Sequence, residues 1–150
     1  MSSDSTHTMN REQIEARIPH RSPMLLIDEV VEQTDDQIIC RKTFHADEFF
    51  FQGHYPDHPL VPGVILCESS MQAGAILLSE TAGEGIPVAT RMNDVRFRKM
   101  VHPGDEVTIT VDLVERVSNA YFMKAKMTRG QETVLRFEFA CALAPPQTET

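Results

Sequence analysis

A chain of 150 residues with 41% hydrophobic content suits a single globular domain with a sizeable core. Its formal net charge of −8 gives it no overall attraction for nucleic acid or an anionic membrane surface, so an acidic partner needs a local basic patch. The three cysteines, Cys40, Cys67 and Cys141, are widely spaced in apolar stretches and form no metal or redox motif; they read as buried free thiols in a reducing compartment.

Residues 1–9 are rich in Ser and Thr and lack a basic start followed by an apolar run. They read as a flexible tail and not as a signal peptide, and the expected location is cytoplasmic. Asn10 with Gln13 resembles a capping box ahead of a short helix at 11–17, which Ile18-Pro19 ends. A turn at 19–23 leads into an apolar run, 24–31, that feeds a strand. A second strand at 38–44 returns as a hairpin across Thr34-Asp35-Asp36-Gln37.

Next comes a loop dense in Gly, Pro and His, Gly53-His54-Tyr55-Pro56-Asp57-His58-Pro59-Leu60-Val61-Pro62-Gly63. A helix of roughly 18–20 residues follows from Pro62-Gly63, about 30 Å long. Its apolar residues cover nearly the whole circumference, so it is expected to be buried, and Glu68 and Gln72 within it argue against a membrane span. Residues 82–87 stop it with Gly then Pro. The rest is β: strands at 88–97, 107–113, 121–128 and 133–143, the second with clear alternation. The sum is an α+β domain over 10–144, with 145–150 as a second tail. About six mostly antiparallel strands curve around one long helix, and one sheet leaves part of that helix for a partner subunit.

The loop and helix start hold the chemistry. His54 sits where the chain cannot be helical; it is either a base near neutral pH or a hydrogen-bonder that stabilises the loop. Glu68 is a carboxylate in an apolar helix, costly unless paired or protonated, which suits a general acid; the alternative is a Glu facing solvent or a subunit boundary. Gln72, one turn on, orients Glu68 or is an interface amide. Gly63 and Val64 present free N–H groups at a helix N-terminus, where charge on a carbonyl oxygen is stabilised, although Gly63 would also ease the turn. Pro56 between His54 and His58 removes the helical spacing of a metal pair, and no metal site is expected.

Gly53-His54-Tyr55-Pro56, Pro59-Leu60-Val61-Pro62-Gly63-Val64 and Glu68 with Gln72 together resemble the signature of the 3-hydroxyacyl-[acyl-carrier-protein] dehydratases. Residues 18–28, with Pro19-His20-Arg21 and Leu25-Leu26-Ile27-Asp28, and residues 97–105, with Pro103-Gly104-Asp105, are similar to the family's flanking elements. The resemblance implies a hotdog fold, dimers with two sites at the interface, and often hexamers (trimers of dimers). It implies a His from one chain and an acid from the other, here His54 as base and Glu68 as acid, with the N–H of Gly63 on the thioester carbonyl. Phe51, Tyr55, Val64 and Gln72 join Gly63 as substrate-binding candidates. The implied reaction dehydrates a 3-hydroxyacyl thioester on acyl carrier protein to a trans-2-enoyl thioester, with no cofactor. Glu68 favours the plain dehydratase over the dehydratase/isomerases, which carry Asp there. Ser69 and Ser70 depart from the family's small apolar residues and would make the site more polar.

Arg91, Arg96, Arg98 and Lys99 form the one local basic cluster. Arg96, Arg98 and Lys99 are candidates for docking the carrier or its phosphopantetheine, against the alternative of a charged sheet edge that discourages aggregation. Competing readings are a hotdog thioesterase, a coenzyme A thioester hydratase and a non-catalytic acyl-binding protein. His54 with Glu68 argues against the last.

Overall fold

In the computed structural model residues 8–81 and 85–144 are described. Residues 82–84 of the helix stop expected at 82–87, and both outer tail segments, 1–7 and 145–150, lie outside those residues. Asn10 and Gln13 form the expected capping box, each side chain accepting from the other's backbone N–H at 2.9 Å. Helix α1 spans Arg11–Glu15, and a last turn of backbone bonds carries the chain to Ile18, just before Pro19. Met9, read in the sequence as the end of a tail, is instead 6% exposed, and its N–H and C=O both bond to Val30.

The described residues hold six strands: β1 Glu29–Gln33, β2 Gln37–Thr43, β3 Ile86–Phe97, β4 Glu106–Val117, β5 Ala120–Arg129 and β6 Glu132–Ala144. They form one antiparallel sheet in the order β1-β2-β4-β5-β6-β3. The period of two puts Val107, Ile109 and Val111 of β4, Met123 and Met127 of β5, and Leu135, Phe137 and Phe139 of β6 on the buried face. Ser118 and Gly130 take left-handed backbone conformations in the tight turns that join β4 to β5 and β5 to β6.

Helix α2, Gly63–Thr81, lies across that face and packs on β2, β3, β4 and β5. Gly74 allows a close approach to β6: a Cβ there would come within 2.8 Å of the Phe139 ring. A long helix wrapped by a curved antiparallel sheet is the hotdog fold that the sequence implies. No described helix is long and apolar enough to cross a membrane.

Three features shape the site, and the first two differ from the sequence reading. The apolar run 24–31 is a strand only from Glu29. Before it, Leu25, Leu26 and Ile27 are buried but held by side chains of α2: Gln72 Oε1 accepts from the Leu26 N–H at 2.7 Å, and Ser69 Oγ donates to the Leu26 carbonyl at 2.8 Å. A single 3-10 turn, Phe49–Gln52, unforeseen in the sequence, anchors Phe50 and Phe51 in the core. The third feature is the one expected: α2 is not covered all round by the single sheet. Residues 72–78 are buried, but Val64, Glu68 and Met71 form a stripe at helical spacing that the sheet leaves open.

Candidate active site

The loop between the 3-10 turn and α2 is fixed by backbone. The Leu60 N–H donates to the His54 carbonyl at 3.2 Å, and the Val61 N–H to the Val101 carbonyl at 2.8 Å. His54 Nδ1 lies 3.1 Å from the Leu60 carbonyl oxygen. A carbonyl only accepts, so Nδ1 carries a hydrogen, and in the neutral ring Nε2 then keeps its lone pair. The ring is half-buried and stacks on Tyr55, centroids 4.3 Å apart. His54 thus presents one oriented acceptor nitrogen.

Glu68 is held by side chains. Gln72 Nε2 donates to Glu68 Oε2 at 2.9 Å and to the Met24 carbonyl at 2.8 Å, while its Oε1 takes the Leu26 N–H. Both amide hydrogens are then used, so Gln72 orients Glu68 and has no donor left for a ligand, contrary to its place among the substrate-binding candidates. The Glu68 side chain keeps 32% of its exposure, so the isolated chain relieves the expected burial cost by an opening as well as by a partner.

The helix end is the third element. Pro62, at the cap, has no side-chain oxygen, and its carbonyl accepts from Ile65 and Leu66. The N–H groups of Gly63 and Val64 remain free among the described residues. Gly63 has a further reason to lack a side chain: a Cβ there would lie 2.9 Å from the Phe97 ring. Val64 and Tyr55 are exposed, 74% and 55%, as a surface that meets a ligand or partner must be. Phe51 is buried against Phe50 and anchors the 3-10 turn, so in this chain it is a core residue and not an open wall.

Ser69 and Ser70 do not make the site more polar: both are fully buried, Ser69 bonded to the Leu26 carbonyl and Ser70 to the Leu66 carbonyl at 3.0 Å. The three cysteines are free and buried. Burial pushes the thiols of Cys67 and Cys141 up to about 11 and that of Cys40 further upward, so none offers a thiolate nucleophile near neutral pH.

Two neighbours of the site had no role in the sequence reading. Phe97 closes on Gly63. His20, within Pro19-His20-Arg21, places Nε2 3.9 Å from Glu68 Oε2. Arg21 curls back to the carbonyls of Ile18 and His20 at 2.9 and 2.7 Å, which fixes the turn that carries His20. The flanking motif signalled that the turn mattered, but not which side chain it brings to Glu68.

Residues 18–138 match the FabA-like domain family. The chain is 36% identical over 131 residues to the 3-hydroxyacyl-[acyl-carrier-protein] dehydratase FabZ of Petrotoga mobilis, across 87% of this chain and 94% of that protein. It is 40% identical over 122 residues to the same-named protein of Clostridium perfringens, across 80% and 88%. A solved structure titled the dehydratase heterocomplex ApeI:P, from Xenorhabdus doucetiae, superposes with a TM-score of 0.73 at 16% identity, covering 90% of this chain and 91% of that one; it shares the fold. The chain belongs to the FabA-like family, among the 3-hydroxyacyl-[acyl-carrier-protein] dehydratases.

Proposed function

We propose that the protein removes water from (3R)-3-hydroxyacyl thioesters carried on acyl carrier protein and releases the trans-2-enoyl thioester. The observation that carries this reading is the difference in character of the two groups: an imidazole with a free, oriented Nε2, and a carboxyl held by an amide donor. His54 Nε2 takes the C2 proton. As the C2–H electron pair moves toward the thioester, negative charge grows on its carbonyl oxygen, which the N–H of Gly63 at the start of α2 stabilises. The C3–O bond then breaks, and Glu68 gives its proton to the departing hydroxyl, which leaves as water. One proton has moved onto His54 and one has left Glu68, and exchange with solvent resets the pair. No cofactor enters these steps.

The working unit is a homodimer, with a trimer of dimers as its larger assembly. The uncovered stripe Val64, Glu68 and Met71 supports this, as does β3. That strand is a 12-residue sheet edge paired, among the described residues, only with β6, with Ile86, Val88, Met92 and Phe97 between 40% and 53% exposed. A long apolar edge is a template for another strand, and a second copy offers the same edge to it. In that dimer His54 of one protomer faces Glu68 of the other.

Arg96, Arg98 and Lys99 dock the acidic carrier or its phosphopantetheine. Arg96 and Lys99 are 63% and 51% exposed, and their acidic neighbours, Asp94 at 3.4 Å and Glu132 at 3.9 Å, are surface pairs of small worth. Arg96 lies opposite Arg136, which lies opposite Lys126, so a cationic row crosses three strands of an otherwise acidic protein. Arg91 stands apart, over the Phe122 ring. The expected location is cytoplasmic.

Hydration of an enoyl thioester, followed as loss of enone absorbance beside free thiol, tests the reaction. Hydration without thiol release is expected; thiol release would mark a thioesterase. His54→Ala and Glu68→Gln should each abolish turnover with the fold intact. Near-normal rates in either would remove that residue from the mechanism. Charge reversal at Arg96 and Arg98 should raise KM for carrier-bound substrate and leave a short thioester mimic unaffected; equal effects on both would refute docking.

A further inference from the structure

Strand β2 contains a contradiction. Its inward residues are Ile38, Cys40 and Lys42, and Phe44 continues the row; all four are buried. A lysine on the core face is 4% exposed at its side chain. Burial of an ammonium in such a place is unfavourable unless hydrogen-bonded acids surround it. Here they do. Lys42 Nζ donates to both oxygens of Glu48 at 3.0 and 2.9 Å and stands 3.8 Å from Asp28 Oδ1, with the Phe44 ring beneath it at 5.2 Å. Asp28 Oδ2 in turn accepts from the Thr43 N–H at 2.7 Å, and Arg11 of α1 approaches Asp28 Oδ1 at 3.7 Å.

Glu48 is where this network meets the site. Its Oε2 accepts from the His45 N–H at 2.8 Å, while its own N–H donates to the His45 carbonyl at 3.1 Å. Its carbonyl accepts the Phe51 N–H at 3.1 Å, and Glu48 caps the 3-10 turn Phe49–Gln52. Gly53 and His54 follow that turn directly. The cap makes no side-chain hydrogen bond to the turn it precedes. Its carboxylate accepts from Lys42 and the His45 N–H instead, so Lys42 is what ties the start of the loop to β2. A backbone segment held at one end by Leu60 and Val61 needs a second fixed end for His54 to keep its place.

We propose that Lys42 is a positioning residue for His54: through Glu48, and with Asp28, its buried ammonium fixes the launch point of the catalytic loop. The inference rests on the reading of His54 as the base. Three elements, the end of the 18–28 motif at Asp28, β2 and the cap of the 3-10 turn at Glu48, converge on one ammonium. An uncharged side chain of equal length fills the same space but holds none of them.

Lys42→Met keeps volume and removes the charge. With a short thioester substrate, kcat is expected to fall about 10- to 100-fold, the scale of an ångström-sized misplacement, with KM within about twofold. The Nδ1–H proton resonance of His54, bonded to the Leu60 carbonyl in the native protein, should shift or broaden. A purely structural lysine would lower the thermal midpoint and leave kcat and that resonance at native values well below the transition; this result overturns the proposal. Should Lys42→Met fail to fold, the double variant Lys42→Met with Glu48→Met removes both charges. Native kcat in that folded double variant likewise overturns it, and reduced kcat supports it. His54→Ala in the same assay separates the two ideas. If it retains turnover, the base assignment fails, while the His54 resonance in Lys42→Met still reports whether the ammonium holds the loop.

Discussion

His54 and Glu68 are held in opposite ways. His54 is fixed by carbonyls and amides of its own loop and of the chain near Val101, groups that every residue possesses. Glu68 is fixed by one side chain, Gln72, whose amide also secures Met24 and Leu26 some 46 to 48 residues away in sequence. The backbone-held side tolerates substitution at most loop positions but depends on where the loop begins and ends. The side-chain-held side stands or falls with single residues. His54 and Glu68 are therefore vulnerable to different mutations.

Gln72→Leu should have the largest effect outside His54 and Glu68 themselves. It strips Glu68 of its donor and leaves the Leu26 N–H and Met24 carbonyl without partners, at a cost of about 2–4 kcal/mol. Denaturant unfolding should record that loss, and turnover should fall about 10- to 100-fold. A folded, fully active Gln72→Leu would dissolve the contrast between the two sides. Gly63→Ala comes next. Its Cβ would press on the half-exposed Phe97 ring, costing about 1–2 kcal/mol and shifting the free N–H groups of the helix end. Adding Phe97→Leu should recover much of the lost kcat; no recovery would show that the ring is not what Gly63 accommodates.

The two buried serines give a finer test. Ser69→Ala breaks a bond between α2 and the 24–27 segment and should cost about 1 kcal/mol. Ser70→Ala removes only a bond within its own helix and should stay within about 0.5 kcal/mol. Equal losses would mean that the tie to the 24–27 segment contributes little. The smallest effect is chemical: with thiols shifted up to about 11, Cys67 and Cys141 should resist alkylation at neutral pH and react only in strong alkali. Rapid labelling of the native protein at pH 7 would contradict that burial.

The local features were legible because they are written in neighbouring residues. The capping box of α1, the alternation in β4 and the start of α2 after Pro62 follow from spacings of a few residues. His54, Gly63 and Glu68 were legible as candidates for the same reason, since loop, helix end and helix turn lie within one short stretch. What the sequence hides is tertiary. Leu25–Ile27 has the composition of a strand, yet its partners are the side chains of Ser69 and Gln72. Lys42 breaks an apolar alternation, and only the fold supplies the Glu48 and Asp28 that permit it. Phe97 meets Gly63 across more than 30 residues of intervening chain, and no local pattern announces the pairing.

The central claim is that one chain holds half of each site. The direct measurement mixes two inactive variants, His54→Ala and Glu68→Gln, by refolding them together. If each site takes His54 from one protomer and Glu68 from the other, half of the dimers are mixed and each of these has one intact site. Enoyl-thioester hydration should then return to about a quarter of the native rate. A mixture as inactive as its components would contradict the shared site and return both groups to a single chain.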